Sequence, residues 1–598
     1  MTDKTFEKDG LTFRDLDHDG VLAPFEDHRN SIAERVSDLK QRMTLAEKIG
    51  LMMHGTARSQ GPLGSLGIGD SYDEEPIRDQ LLAKSINHLI TRLNVAPGDF
   101  AIQNNRIQAI AAQARLGIPV TISTDPRHHF QHVTGASSRA LGFSQWPETT
   151  GLAATRDASI TREFAGIARI EYRAIGIHMA LSPQADIATE PRWSRISGTF
   201  GEYPQLARTM TEAYVEGMQN STTGLNSESV AAVVKHWVGY GAAPDGFDGH
   251  NDYGQFSAVT DESLDYHIEP FVGAFGAHVA GVMPSYTITH RLTSNGTPIE
   301  AVAAGFSHYL LETLLRDQMG FNGFILSDWA IYRDATPATR NPKKMQTPDD
   351  IAMPWGVTAL TRIERIAKSI NAGVDQLGGE EDVDALASAV ASGLVPVERI
   401  DQAVARLLRI KFELGLFDAP FVDAAQATAI VNCSEHQQLA LNAQRKALVC
   451  LKKHAAVDPS ALAFCNLNSS ESFSEETTLI IRITSPHELL HPNHFFGSMQ
   501  HEGSLEYNNQ STELEKICYL ARSNPVILVI QMVRPCVINN LLPLAAGIYV
   551  DLGISDEVIL EAITGQFQAR GALPFRLPES MQAVVAARSD IPGLPLQE

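Results

Sequence analysis

Between residues 88 and 378 one pattern recurs: a short apolar run ends in a polar residue, and a stretch with helical spacing follows. The runs are HLITRLNV (88–95), PVTISTD (119–125), HMALSPQAD (178–186), VAAVVKHWVG (230–239), GVMPSY (281–286), GFILSDW (323–329) and AGVDQLG (372–378). Runs that are apolar throughout, rather than at alternate positions, mark strands buried on both faces, as in a parallel sheet covered by helices. Seven such units predict an α/β fold of the (β/α)8-like TIM barrel type, with one strand not located. The helical spacing of RLLRIKFELGLFDAPF (406–421) holds to Leu414 and is broken by Gly415 and Pro420. Beyond it lie three more strand-like runs, TLIIRI (478–483), PVILVIQM (525–532) and AGIYVDLG (546–553). Helix-like segments 511–523 and 555–564 alternate with them, and the polar stretch 466–477 reads as a surface loop. The expected division is an N-terminal segment 1–40, a catalytic barrel 41–416 and an α/β sandwich domain 417–598.

Composition adds to this picture. All five Cys lie after residue 432 and all five Trp before residue 356, as expected of two folding units. The odd number of Cys, at spacings that match no zinc or redox motif, predicts unpaired thiols. With 48 Lys+Arg against 70 Asp+Glu, the formal charge is −22. Such a chain is a poor partner for nucleic acid or an anionic membrane, and a neutral carbohydrate suits it better. No apolar run is long enough for a membrane span. The opening MTDKTFEKDGLTF has no apolar signal region, so a cytoplasmic location is expected.

In a barrel of this kind, chemistry sits where the strands end. Asp125, Asp186, Lys235 with His236, and Asp328 all stand at such ends. One aspartate there is often only a helix N-cap; several converging on one face point to a site. The motifs that carry them are GIPVTISTDPRHHF (117–130), SPQADIATEPRWSRISGTFGEY (182–203), VKHWVGYGAA (234–243), GVMPSY (281–286) and GFNGFILSDWA (320–330). In this order they resemble glycoside hydrolase family 3, of the β-glucosidase and exo-β-glucanase kind, over roughly residues 20–580. The resemblance implies a retaining exo-β-glucosidase whose site lies between barrel and sandwich domain, with no cofactor for catalysis and a monomeric or homodimeric state.

It further implies that Asp328 of the Ser-Asp-Trp segment is the nucleophile. Asp125, Arg195, Lys235 and His236 would bind the sugar hydroxyls. Tyr286 would hydrogen-bond near the nucleophile, and Trp329 would stack on the sugar or pack into the core. Many family members carry Glu where this chain has Gly198. The acid/base of the glucosidase branch is a Glu from a second-domain loop; Glu488, Glu502 and Glu506 are the candidates here, and Glu502 is chosen. The family's N-acetylglucosaminidase branch uses an Asp-x-His dyad instead. Asp248 and His250 fit that spacing, but in this Gly-rich loop they are read as solvated. β-Xylosidase, β-N-acetylhexosaminidase, a phosphorylase and a sugar-binding protein without catalysis are the competing functions. Separately, DLDHDGVLAPFE (15–26) fits a calcium-loop spacing, with Asp15, Asp17, Asp19 and Glu26 as ligands of a structural calcium; the alternative is an acidic turn that caps a helix.

Overall fold

The computed structural model describes residues 5–131, 142–469, 471–508 and 511–593. Eight parallel strands form the barrel: β1 Met53–Thr56, β2 His88–Ile90, β3 Thr121–Thr124, β4 Met179–Ala180, β5 Ala231–Trp237, β6 Gly281–Pro284, β7 Phe324–Ile325 and β8 Leu377–Gly378. From β1 to β7 each pairs with the next in sequence, and β8 returns to β1 through Leu377 and Met53. The ring closes between β7 and β8, where Leu326 bridges Gln376 and the Gln376 N–H donates to the Ile325 carbonyl at 3.0 Å. β1 is the strand the sequence did not reveal. It runs directly out of the helix Leu45–Met52, so LAEKIGLMM reads on as one helical stretch.

The observed strands are shorter than their apolar runs. The run 178–186 yields a strand only at Met179–Ala180. The remainder continues as buried irregular backbone at the barrel mouth, which is where the functional side chains need room.

The second sheet has five strands, β9 Val449–Lys452, β10 Leu462–Phe464, β11 Thr478–Thr484, β12 Val526–Gln531 and β13 Gly547–Asp551, in the order β9-β13-β12-β11-β10. Only β9 is antiparallel. Helix Asp556–Ile563 covers one face with Val558, Ile559 and Ile563.

Two features tie this unit to the barrel. Arg534, fully buried, donates to the carbonyls of Arg192 (2.9 Å) on the barrel and of Pro486 (2.6 Å) and Glu502 (3.1 Å) on the loop after β11. Further on, the chain returns to the barrel: Arg576 N–H donates to Glu202 Oε1 at 2.9 Å, Thr189 Oγ1 to the Ser589 carbonyl at 2.6 Å, and His267 Nε2 lies 2.9 Å from the Asp590 carbonyl.

Candidate active site

β7 delivers Asp328 to the mouth of the barrel on an apolar, buried strand. Two donors hold its Oδ1: the Tyr286 hydroxyl at 2.6 Å and the Trp329 backbone N–H at 2.8 Å. Oδ2 faces His236, whose Nε2 is 3.7 Å away. Burial raises the pKa of Asp328 above the ordinary aspartate value; His250, the Tyr286 hydrogen bond and Lys235 oppose that rise.

His236 is oriented by Asp186, whose Oδ2 lies 2.8 Å from its Nδ1 and whose Oδ1 accepts the His236 backbone N–H at 3.2 Å. Burial drives both partners toward their neutral forms, Asp186 upward and His236 downward. Asp125 stands between two cations: Lys235 Nζ and Arg92 Nε are each 3.6 Å from one of its oxygens, and Oδ2 has no hydrogen-bond partner among the described residues. Arg195 Nη1 and Trp329 Nε1 are likewise buried and without a partner among the described residues. A carboxylate oxygen and two N–H groups without partners around one hollow are what a polyhydroxylated ligand would satisfy.

Asp125, Lys235, His236, Asp328 and Trp329 all line a cavity of about 130 Å³. Trp329 fits only because residue 379 is Gly: a Cβ there would lie 2.3 Å from the indole Cδ1, and φ is +66°. A second, wider cavity of about 370 Å³ lies between the barrel and the second domain, with Phe496, Met499, Gln500, His501, Gln531 and Val533 from the latter. Arg195, Lys235, His250 and Phe496 border both.

The sequence reading of Asp248 and His250 as solvated is overturned. Asp248 is 1% exposed, and its Oδ1 lies 2.5 Å from His250 Nδ1 and accepts the His250 backbone N–H at 3.1 Å. Tyr240 OH donates to the same oxygen at 3.0 Å, and Trp193 Nε1 donates to Oδ2 at 3.2 Å. Burial opposes ionisation of Asp248, but His250 and Arg195 hold its pKa well below the usual carboxylate range. The imidazole packs between Tyr286 and Phe496, with ring centroids 4.6 and 4.2 Å away. The Asp-x-His spacing was the visible signal, and its burial was the missing fact.

Glu502 is placed otherwise than expected. Its Oε1 accepts from the Tyr253 hydroxyl and its Oε2 is paired with His491 Nδ1, both at 2.7 Å. It lines neither of the cavities beside Asp328. Glu488 bridges Glu502 in the backbone and accepts from Ser504 N–H, a turn-forming role. Arg92 and Tyr240 also belong to the site; both lie within runs quoted above, HLITRLNV and VKHWVGYGAA, but neither stands at the polar end of its strand.

The N-terminal acidic loop is only partly as expected. Asp15, Asp17 and Asp19 bring ligand atoms within 4.8 Å of one another. Glu26 does not join them. Its Oε1 accepts from Leu16 N–H at 2.6 Å and its Oε2 from Ala23 N–H at 2.8 Å, so it staples the turn from inside.

A family model described as glycosyl hydrolase family 3 N terminal domain matches residues 70–410. The chain is 45% identical over 98% of its length to the periplasmic beta-glucosidase/beta-xylosidase of Dickeya chrysanthemi, covering 91% of that protein. It is 37% identical over 94% of its length to beta-glucosidase C of Emericella nidulans, covering 90% of it. Among solved structures, a β-glucosidase from Erythrobacter marinus shares the fold with a TM-score of 0.75 at 20% identity, over 95% of this chain and 80% of that one. An exo-1,3/1,4-beta-glucanase from a Pseudoalteromonas species does so with a TM-score of 0.73 at 20% identity, over 94% and 72% of the two chains.

Proposed function

The chain belongs to glycosyl hydrolase family 3, and from that premise we propose that it is a retaining exo-β-glucosidase with Asp328 as nucleophile and the Asp248–His250 dyad as acid/base. The observation that carries this reading is the place of His250, on the border between the nucleophile's cavity and the wider one. The reacting sugar must sit with Asp328 in the narrow cavity, so the bond to be cut crosses that border.

The steps follow from the atoms. Asp328 Oδ2 attacks the anomeric carbon while its other oxygen stays held by Tyr286 and the Trp329 N–H. His250 Nε2 protonates the departing oxygen. Asp248, ionised and bound to Nδ1, fixes the tautomer and stabilises the imidazolium. In the second half Nε2 takes a proton from water, which attacks the same carbon from the vacated side and releases Asp328, so configuration is retained. Asp125, Lys235 and Arg195 supply acceptors and donors for the hydroxyls. The two-fold name of the Dickeya relative supports a second substrate for the same machinery, a terminal xylose, and the ratio of aryl glucoside to aryl xyloside turnover decides between them.

The test uses nitrophenyl β-glucoside. Asp328→Ala should abolish its turnover. His250→Ala should lower kcat by about 10²–10⁴-fold, with azide restoring turnover and giving the β-glucosyl azide, because azide needs no base to attack the glycosyl-enzyme. Glu502→Gln should keep its activity without azide. Rescue by azide in the Glu502 variant and not in the His250 variant would return the acid/base role to Glu502.

A further inference from the structure

Tyr253 stands three residues beyond His250 and reaches from the barrel into the loop after β11. Its hydroxyl donates to Glu502 Oε1 at 2.7 Å, and the other oxygen of that carboxylate lies 2.7 Å from His491 Nδ1. The phenol ring stacks on the His491 imidazole, with centroids 3.6 Å apart and planes 16° apart. His494 and Phe247 flank the same ring edge-on, at 5.0 and 5.2 Å. Gly497 leaves room for the hydroxyl, since a Cβ there would lie 2.5 Å from it. Glu502 is 2% exposed. A carboxylate that deep must be paired and hydrogen-bonded, and both its oxygens are spent on one tyrosine and the imidazole stacked against it.

The grip on Tyr253 reaches the dyad through the backbone. Asn251 N–H donates to the Asp248 carbonyl and Gly254 N–H to the Asn251 carbonyl, both at 3.0 Å, so residues 248–254 form two linked turns. A Cβ on Gly254 would lie 2.2 Å from the Asp248 carbonyl oxygen, so the residue after Tyr253 abuts the first member of the dyad. The same two loops also meet beside the imidazole: Asn251 Nδ2 donates to Gln500 Oε1 at 3.1 Å, and Phe496 packs on His250. An acid/base held to a fraction of an ångström needs its supporting loop held as well. We propose that Tyr253, anchored by Glu502, is a positioning residue for the acid/base: it locks the dyad's loop to the second domain's loop, so that His250 and the wall beside it are set as one unit. This rests on the reading of Asp248–His250 as the acid/base.

Tyr253→Phe keeps the stacked ring and removes the grip, and Gly497→Ala drives the hydroxyl off the carboxylate. Each is assayed on nitrophenyl β-glucoside, alone and combined with His250→Ala. One hydrogen bond to a charged group is worth roughly tenfold in rate. Each single variant should lower kcat by about that factor. Neither should lower it further once His250 is Ala, because a residue that acts through the dyad then has nothing left to position. Glu502→Gln still accepts from the Tyr253 hydroxyl and should keep the activity that Glu502→Ala loses. Losses that multiply with that of His250→Ala would overturn the proposal and reduce Tyr253 to a support of the fold. No loss in Tyr253→Phe would overturn it as well. Far-ultraviolet circular dichroism identical to wild type separates these outcomes from misfolding. Full turnover by His250→Ala would overturn the acid/base reading and this inference with it, whereas multiplying losses strike this inference alone.

Discussion

At the residue scale, the site sets two oxygens of one carboxylate to different tasks. Asp328 Oδ1 is saturated by an O–H and an N–H donor, so the side chain cannot rotate without losing both. Under the proposed mechanism that fixes the attacking oxygen before substrate arrives. The arrangement also governs pH. Burial already raises the pKa of Asp328, and the Tyr286 hydrogen bond holds it down. A nucleophilic carboxylate must be ionised, so with Asp328 in the proposed role the acid limb of kcat/KM should lie above the ordinary aspartate value of 3.8. Tyr286→Phe removes the opposing interaction and moves that limb to higher pH, with kcat/KM falling roughly tenfold on the acid side and less near the optimum. A limb that stays in place in the pH–rate profile would show that Tyr286 only packs. The second carboxyl with pH consequences is Glu148, in the wall of the wider cavity, whose pKa is pushed up to about 8 by burial. In the unfolded chain it ionises near 4.5. Wild-type stability therefore falls as pH rises between those values, because folding then opposes ionisation. Glu148→Gln keeps an acceptor for Gln131 N–H, and its melting temperature relative to wild type should be higher at pH 8 than at pH 5.

At the scale of elements, the loop between β11 and the helix Thr512–Leu520 is the one that reaches the chemistry. It is held by a side chain from elsewhere: Arg534 gathers carbonyls from both ends of the loop and one from the barrel. Arg534→Ala leaves those buried carbonyls without a partner and should cost at least ~3 kcal/mol, measured by urea unfolding. It should raise KM for oligosaccharides, since Phe496, Met499, Gln500 and His501 would lose their fixed position. Unchanged KM at lowered stability would confine Arg534 to a structural role. What the sequence revealed follows the same division. Strands buried on both faces announce themselves, so β2 to β8 and the residues at their ends were legible. β1 was hidden because MHGT is short and adjoins a helix of similar composition. β9 and β10 are short strands at the two ends of their sheet, partly exposed, and carry little periodic signal. The dyad shows in the sequence only as a spacing, because a Gly-rich loop gives no hint of whether it folds inward. Glu502 stands out in the sequence only by its position in the chain, and position does not say that Tyr253 and His491 claim both its oxygens.

At the scale of the whole molecule, the formal charge of −22 surrounds a site built for a neutral ligand. Steering by that field has nothing to act on in an uncharged glucoside, whereas it repels an anionic one. Raising ionic strength to 1 M, where the Debye length is about 3 Å, should leave kcat/KM for nitrophenyl β-glucoside unchanged and raise it for a glucoside with a carboxylate on the leaving group. A fall for the neutral substrate would mean that the cleft needs electrostatic help. The cleft is also divided along the chain. Asp328 and the dyad lie within the barrel's sequence, the loop residues 496–501 come more than 150 positions later, and the strap onto Thr189 and His267 comes from residues 589–590. A nascent chain made from its N-terminus folds its early units first. A chain translated only as far as residue 495 would therefore hold the proposed nucleophile without the wall that Phe496, Met499, Gln500 and His501 supply, a bowl open on the side where the leaving group would depart.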